Sequence, residues 1–163
     1  MKPRILSTVT PSTDILDLDE FQVSSIGPLG DVDIRRPIDP SEPVFHVLRE
    51  CAIRNGMFPR LLRGQAGAYN MADFLVTSGS ISTHTDPKLG TVLTWLVDAR
   101  QNPLTPCGQE GMATELITEH GVLGLRVGDL FVFNASIRHA LLSNHACVFA
   151  QTQIGLRRNP KHQ

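Results

Sequence analysis

The chain has 163 residues, 41% of them hydrophobic and 19% charged, a balance that excludes a disordered or low-complexity protein and supplies enough apolar residues for one core. A formal net charge of -1 with no long basic run gives no electrostatic argument for nucleic acid or an anionic membrane surface, so neither partner is expected. No window approaches the roughly 18 apolar residues of a membrane span. The N-terminus has no signal-peptide stretch, and three widely spaced cysteines, Cys51, Cys107 and Cys147, form no CxxC. Together these features predict reduced thiols and a cytoplasmic protein, with one domain over residues 1–163.

Residues 1–40 are rich in Pro, Asp and Ser, with short apolar pieces at Ile15–Leu18 and Phe21–Ile26. They read as an irregular arm or one or two edge strands. Ser41 offers an N-cap oxygen, and Pro43 suits the first helical turn. Val44, Phe45, Leu48, Ala52 and Ile53 recur at helical spacing before Gly56, which predicts a helix over 41–56.

From Tyr69 the texture changes to short β-type runs, making 69–156 the expected β core. The candidate strands are Tyr69–Thr77, Ile81–Thr85, Thr91–Asp98, Glu115–Thr118, Val122–Arg126, Asp129–Asn134 and Cys147–Ile154, with turn residues between them. Many short strands behind one amphipathic helix predict a mainly β fold, a sandwich or barrel with helical support on one outer face. The Pro- and Gly-containing segment 100–112 reads as a long loop of the kind that serves as a lid.

Chemistry concentrates in two places. In His84-Thr85-Asp86 an extended backbone would project an imidazole and a carboxylate to one side, an arrangement that suits a divalent metal. His139 follows the apolar strand Asp129–Asn134 after a short polar break. Two histidines and one carboxylate occupy one face of an octahedral ion and leave three positions open, the facial triad of non-haem Fe(II) oxygenases, which bind O2. A buried histidine alone is more often a hydrogen-bonded core residue, so the weight lies in HxD, strand and spacing taken together. His145 is the other candidate for the second histidine, but Leu142–His145 reads as a turn. Trp95, in an apolar strand, reads as core.

The ordered set Ser82–Asp86, Thr91–Val97, Gly128–Phe133 and His139 resembles the iron(II)/2-oxoglutarate-dependent dioxygenases over about half of the chain, from Tyr69 to Ile154. The resemblance implies a double-stranded β-helix of the jelly-roll or cupin-like kind with Fe(II) at one mouth. It also implies 2-oxoglutarate as a co-substrate chelating the iron, and hydroxylation or demethylation of a substrate carbon. Asp86, present where halogenating relatives leave room for halide, argues against halogenation.

The family usually places an Arg or Lys about ten residues after the second histidine to grip the far carboxylate of 2-oxoglutarate. Here Ala146–Gln151 contains no base. Arg157, Arg158 and Arg100 are the candidates for that role, since a buried carboxylate needs charge-assisted partners. Tyr69, Asn70 and Thr94 are candidate hydrogen-bonding residues for the co-substrate. The substrate, small molecule or macromolecule, is not legible, and neither is the oligomeric state. Two other readings stand beside this one. The first is a cupin-like metalloenzyme that uses the same triad without 2-oxoglutarate, which the missing base favours. The second is a non-catalytic β-sandwich binding protein.

Overall fold

The structure, a computed structural model, describes residues 1–12, 32–60, 62–63, 69–77, 79–101 and 114–156. Its elements in chain order are β1 (Arg4–Thr8), β2 (Val32–Ile38), α1 (Pro43–Arg54), β3 (Met57–Arg60), β4 (Leu62–Arg63), β5 (Tyr69–Asn70), β6 (Ala72–Thr77), β7 (Ile81–His84), β8 (Thr91–Gln101), β9 (Thr114–Thr118), β10 (Gly121–Leu125), β11 (Asp129–Asn134), β12 (His139–Ser143) and β13 (His145–Leu156). The larger sheet runs β1-β11-β8-β13-β6-β2, with β3 also paired to β13, and the smaller runs β10-β9-β12-β7. From β6 onward the chain alternates between them: β6, β8, β11 and β13 lie in the larger sheet, and β7, β9, β10 and β12 in the smaller. All pairings are antiparallel. That winding is a double-stranded β-helix, the mainly β fold expected from the sequence, with one supporting helix among the described residues.

The side-chain period of two divides the larger sheet between two cores. Its outer face, with Leu93, Trp95, Val132 and Val148, packs against Val44, Leu48 and Ala52 of α1. Each such buried aliphatic or aromatic side chain contributes about 1.5–3 kcal/mol of transfer free energy. The Trp95 indole N–H donates to the carbonyls of Val9 and Gly128, both at 3.1 Å, so its one polar atom is satisfied. Gly128 has φ +102°, and a Cβ there would meet the Val9 carbonyl at 3.0 Å, so the β10–β11 turn accepts β1 only with glycine. The inner face, with Val92, Leu96, Phe131 and Phe149, turns toward Leu116 and Leu141 of the smaller sheet. The cores thus share strands while lying on opposite sides of them.

Several sequence expectations shift. Ser41 is not the helix cap. Its hydroxyl donates to Asp39 Oδ1 at 2.7 Å, and Glu42 takes the N-cap position without a side-chain cap because its carboxylate is drawn to Arg36 at 2.9 Å. The run Tyr69–Thr77 is broken at Met71 into β5 and β6. Leu142–His145, read as a turn, instead lies in β12 and β13, which only Asn144 separates. The N-terminal region contributes β1 and β2 to the larger sheet, while the apolar pieces at 15–18 and 21–26 lie outside the described residues. Of the loop expected over 100–112, Arg100 and Gln101 belong to β8, and 102–112 also lie outside the described residues. Among the described residues no helix is long and apolar enough to cross a membrane.

Candidate metal centre

His84 ends β7 and His139 begins β12, and the register makes them direct cross-strand partners. Opposed residues of an antiparallel ladder hold their Cβ atoms about 4.5–5.5 Å apart, which brings two histidines 55 positions apart in sequence into contact. Their ring centroids are 4.3 Å apart. Asp86 lies two residues beyond the end of β7, where the turn 85–90 is pinned to the turn after β11. The Asp86 amide donates to the Ala135 carbonyl at 2.9 Å, and the Ala135 amide donates to the Gly90 carbonyl at 2.8 Å. The Ser136 hydroxyl accepts from the Gly90 amide at 2.9 Å and faces the Asp86 and Pro87 carbonyls at 3.2 Å each. Gly90 takes φ +61°, a left-handed corner that returns the chain into β8.

The donor atoms converge. His139 Nε2 is 3.3 Å and His84 Nε2 is 3.5 Å from Asp86 Oδ2, and one ligand atom from each of the three residues lies within 4.8 Å of the others. Neighbouring donors on a six-coordinate ion with bonds of about 2.1 Å stand about 3 Å apart. Movements of a few tenths of an ångström would bring each Asp86–histidine pair to that spacing.

Tautomer decides whether the set fits a cation. Each histidine places Nδ1 2.8 Å from the carbonyl two residues before it, Ser82 for His84 and Ile137 for His139. A carbonyl only accepts, so Nδ1 carries the proton and the neutral ring turns the Nε2 lone pair toward Asp86. Three electron-rich atoms then face one another, an arrangement that a proton or a metal ion must neutralise. Burial pulls the His139 pKa down, but the Asp86 hydrogen bond, the Ile137 carbonyl and the Asp86 charge together hold it above the ordinary histidine value. The donor set fits a divalent ion. The Phe133 ring meets His139 edge-on, with centroids 5.2 Å apart, and fixes the imidazole plane from its other side.

Behind the triad a cavity of about 300 Å³ runs between the two sheets. Phe131, Phe133 and Phe149 form much of its wall. Its polar lining besides the triad consists of Thr77, Thr94 and Gln151, and the Gln151 side-chain amide donates to Thr94 Oγ1 at 3.1 Å. Among the described residues the lining includes no Lys or Arg. The triad stands at the accessible end, with about a third of the His84 and Asp86 side chains exposed and only 8% of His139.

The other residues singled out in sequence fall as follows. Thr94 is buried and lines the cavity. Asn70 donates to Asp73 Oδ1 at 2.9 Å. Tyr69 lies in β5 opposite Arg63, and Arg100 near the end of β8 pairs with Ala146, a member of the helix-side core. The side chains of Tyr69 and Arg100, and all of Arg157 and Arg158, lie outside the described residues. His145 opens β13 and is not part of the triad cluster. Cys51 and Cys147 are free and buried, and burial pushes both thiols up, so neither is a poised nucleophile. Sequence reasoning missed Gln151 and Ser136. The period of two along Cys147, Phe149 and Gln151 carried a signal for the first, whereas nothing local marked the second.

A comparison with family models finds no match to this chain, and a comparison with curated proteins finds none either. Solved structures do resemble it. A conserved protein of unknown function from Streptococcus pyogenes is 14% identical, with 83% of this chain and 98% of that one aligned at a TM-score of 0.36. A cupin-2 domain-containing protein from Shewanella frigidimarina is 13% identical over 61% of this chain and 79% of its own, at 0.34. Salicylate 1,2-dioxygenase from Pseudoaminobacter salicylatoxidans is 13% identical over 60% of this chain and 25% of its own, at 0.36. The function must therefore be argued from this chain's own side chains.

Proposed function

We propose that the chain is a non-haem Fe(II) oxygenase that holds iron through His84, Asp86 and His139 and takes an apolar substrate into the cavity behind them, without 2-oxoglutarate. The observation that carries this reading is the convergence of both Nε2 lone pairs on Asp86 while both Nδ1 protons are held by backbone carbonyls. Iron held by His84, Asp86 and His139 would supply the chemistry that brings O2 and an organic molecule together. The chain's own residues do the rest. Ser82 and Ile137 fix the imidazoles, Ser136 fixes the turn that carries Asp86, and the three phenylalanines keep water from the reacting region. With no co-substrate to be oxidised, both oxygen atoms would end in the substrate, as in a dioxygenase.

The 2-oxoglutarate reading is supported by the order HxD…His and by the strands that carry it. Its far carboxylate would lie among phenylalanines, and the described lining offers it Thr94 and Gln151 but no cation. The neutral pair Thr94 and Gln151 at that end of the cavity supports the reading without the co-substrate.

Anaerobic titration of the metal-free protein with Fe(II), followed by 2-oxoglutarate, tests both statements. The expected result is tight binding of iron, lost in His84→Ala, with no visible charge-transfer band on adding the keto acid. A band that needs both components would restore the 2-oxoglutarate reading. Absence of iron binding would remove the oxygenase altogether and leave a β-barrel binding protein.

A further inference from the structure

We propose that Gln151 and Thr94 are the specificity end of the cavity, and that they select a small, largely aromatic ligand whose far end carries an uncharged hydrogen-bonding group of the carboxamide type. The proposal names the substrate class of the oxygenase reading and rests on it only for the word substrate, because the selection is built by groups that hold no metal.

The placement follows from register. Thr94 and Gln151 are partners across β8 and β13, and both face the inner core. Thr94 lies three residues beyond Thr91, the start of β8 beside the metal turn, or roughly 10 Å at the usual strand rise. That span suits one aromatic ring with its substituent. Phe131, Phe133 and Phe149 stand in its wall beside Leu75, Leu116 and Leu141, and the three rings favour a flat apolar body over a flexible polar one.

Charge then narrows the far end. The only charged lining group among the described residues, apart from the histidines, is the Asp86 carboxylate. A second carboxylate at Gln151 would lose its water without gaining a cation from the described lining, a cost that neutral donors only partly offset. A carboxamide meets no such penalty. The Gln151 amide uses Nε2 on Thr94 Oγ1, which leaves Oε1, the second amide N–H and the threonine proton for a ligand. Acceptor and donors side by side match the N–H and C=O of a carboxamide. Leaving them unfilled would desolvate polar groups for nothing, so a purely apolar ligand is also disfavoured.

The test measures binding to metal-free protein, kept so with chelator, by calorimetry or ligand-observed NMR. Matched pairs differing only in charge are used: benzamide with benzoate, and phenylacetamide with phenylacetate. The expected result is that each amide binds at least tenfold more tightly than its acid. Gln151→Leu should weaken amide binding about tenfold, and Gln151→Arg should reverse the order in favour of the acids. Thr94→Val, nearly isosteric, serves as the second variant if the leucine protein does not fold, and should weaken the amides about fivefold. Equal or tighter binding of the acids by wild type, amide affinity unchanged in the variants, or no binding of either class at millimolar ligand would each overturn the proposal. Because no metal is present, failure of iron binding would leave this result standing, and failure here would leave the triad standing.

Discussion

Along β8, Leu93, Trp95 and Val97 face the helix while Val92, Thr94 and Leu96 face the second sheet; along β13, Val148 and Ala150 do the first and Phe149 and Gln151 the second. On the helix side the side chains close on α1 and on β3 through Met57, with Trp95, Leu48 and Met57 almost fully buried. On the other side the same strands border a cavity of about 300 Å³ and admit polar groups. The difference shows how a small barrel divides its labour. One face of the sheet provides packing density, so the other can leave space unfilled and still be held in register. The smaller sheet then contributes His84 and His139 at its edge pairing of β7 with β12, where a cross-strand pair forms regardless of what lies behind it.

If the faces differ in this way, matched truncations should differ most of all. Trp95→Ala should destabilise the protein by about 3–5 kcal/mol, because it opens a void in a closed core and removes the indole donor from the Val9 and Gly128 carbonyls, of which the Gly128 carbonyl keeps the Val9 amide. Phe149→Ala on the cavity face should cost about 2 kcal/mol, since its ring already borders open space and its removal mainly enlarges that space. Urea denaturation of both variants measures this. Equal costs would mean that the two faces are packed alike.

The second difference is in coupling to metal. At a free metal concentration one hundred times the dissociation constant, an ion that binds only the folded chain stabilises it by about 2.7 kcal/mol. Thermal denaturation with and without Fe(II), under anaerobic conditions, should show this gain in wild type and in Phe149→Ala alike. Asp86→Ala should lose it. A gain that survives in Asp86→Ala would place the ion elsewhere.

How much of this was legible beforehand follows the same division. The apolar runs of β8, β11 and β13 are long enough to be read as strands, and β11 was delimited at both ends. The HxD motif and His139 were found because metal ligands are chemically conspicuous residues in a conspicuous order. The strand β12 was missed because Leu142, Ser143, Asn144 and His145 have the composition of a turn. Ladder bonds to β9 and the Ser80 hydroxyl on the Ser143 amide at 3.0 Å override that local preference. Gln151 went unnoticed for a different reason. The period of two marks the face it lies on, but its significance comes from facing Thr94 across the sheet, and the register of strands 57 residues apart cannot be read locally. Ser136 is similar, a serine in a turn whose hydroxyl meets a segment about fifty residues earlier.

That serine gives the third prediction. Ser136→Ala removes the hydroxyl that joins the Gly90 amide to the Asp86 and Pro87 carbonyls and leaves all three metal ligands in place. Outer partners of this kind usually affect metal affinity by one or two powers of ten. A loss of about tenfold, or about 1.4 kcal/mol, is expected in the Fe(II) titration, with little change in stability of the metal-free protein. Unchanged affinity would mean that the backbone bonds of Ala135 to Asp86 and Gly90 hold the turn by themselves.

The smallest effect belongs to the rim of the helix layer, where neither face is involved. Arg36 at the end of β2 binds both carboxylate oxygens of Glu42, at 2.9 and 3.2 Å, and the Asp39 amide also donates to Glu42. The Arg36 hydrogen bond, against the opposing effect of burial, holds the Glu42 carboxyl below its usual range. A carboxyl with a depressed folded-state pKa stabilises the fold above its unfolded value, about 4.3, and that stabilisation is lost as pH falls through the lower folded-state value. Since roughly a third of each side chain is exposed, the contribution is about 1 kcal/mol at neutral pH. Glu42→Gln should therefore be less stable than wild type by that amount at pH 7, and the gap should close as pH is lowered below about 4. Denaturation midpoints of the two proteins across that range decide the point. A gap independent of pH would show that Glu42 acts through the shape of the helix start rather than by charge, leaving Arg36 held by its packing over Phe74 of the neighbouring β6, 4.7 Å from the ring centre.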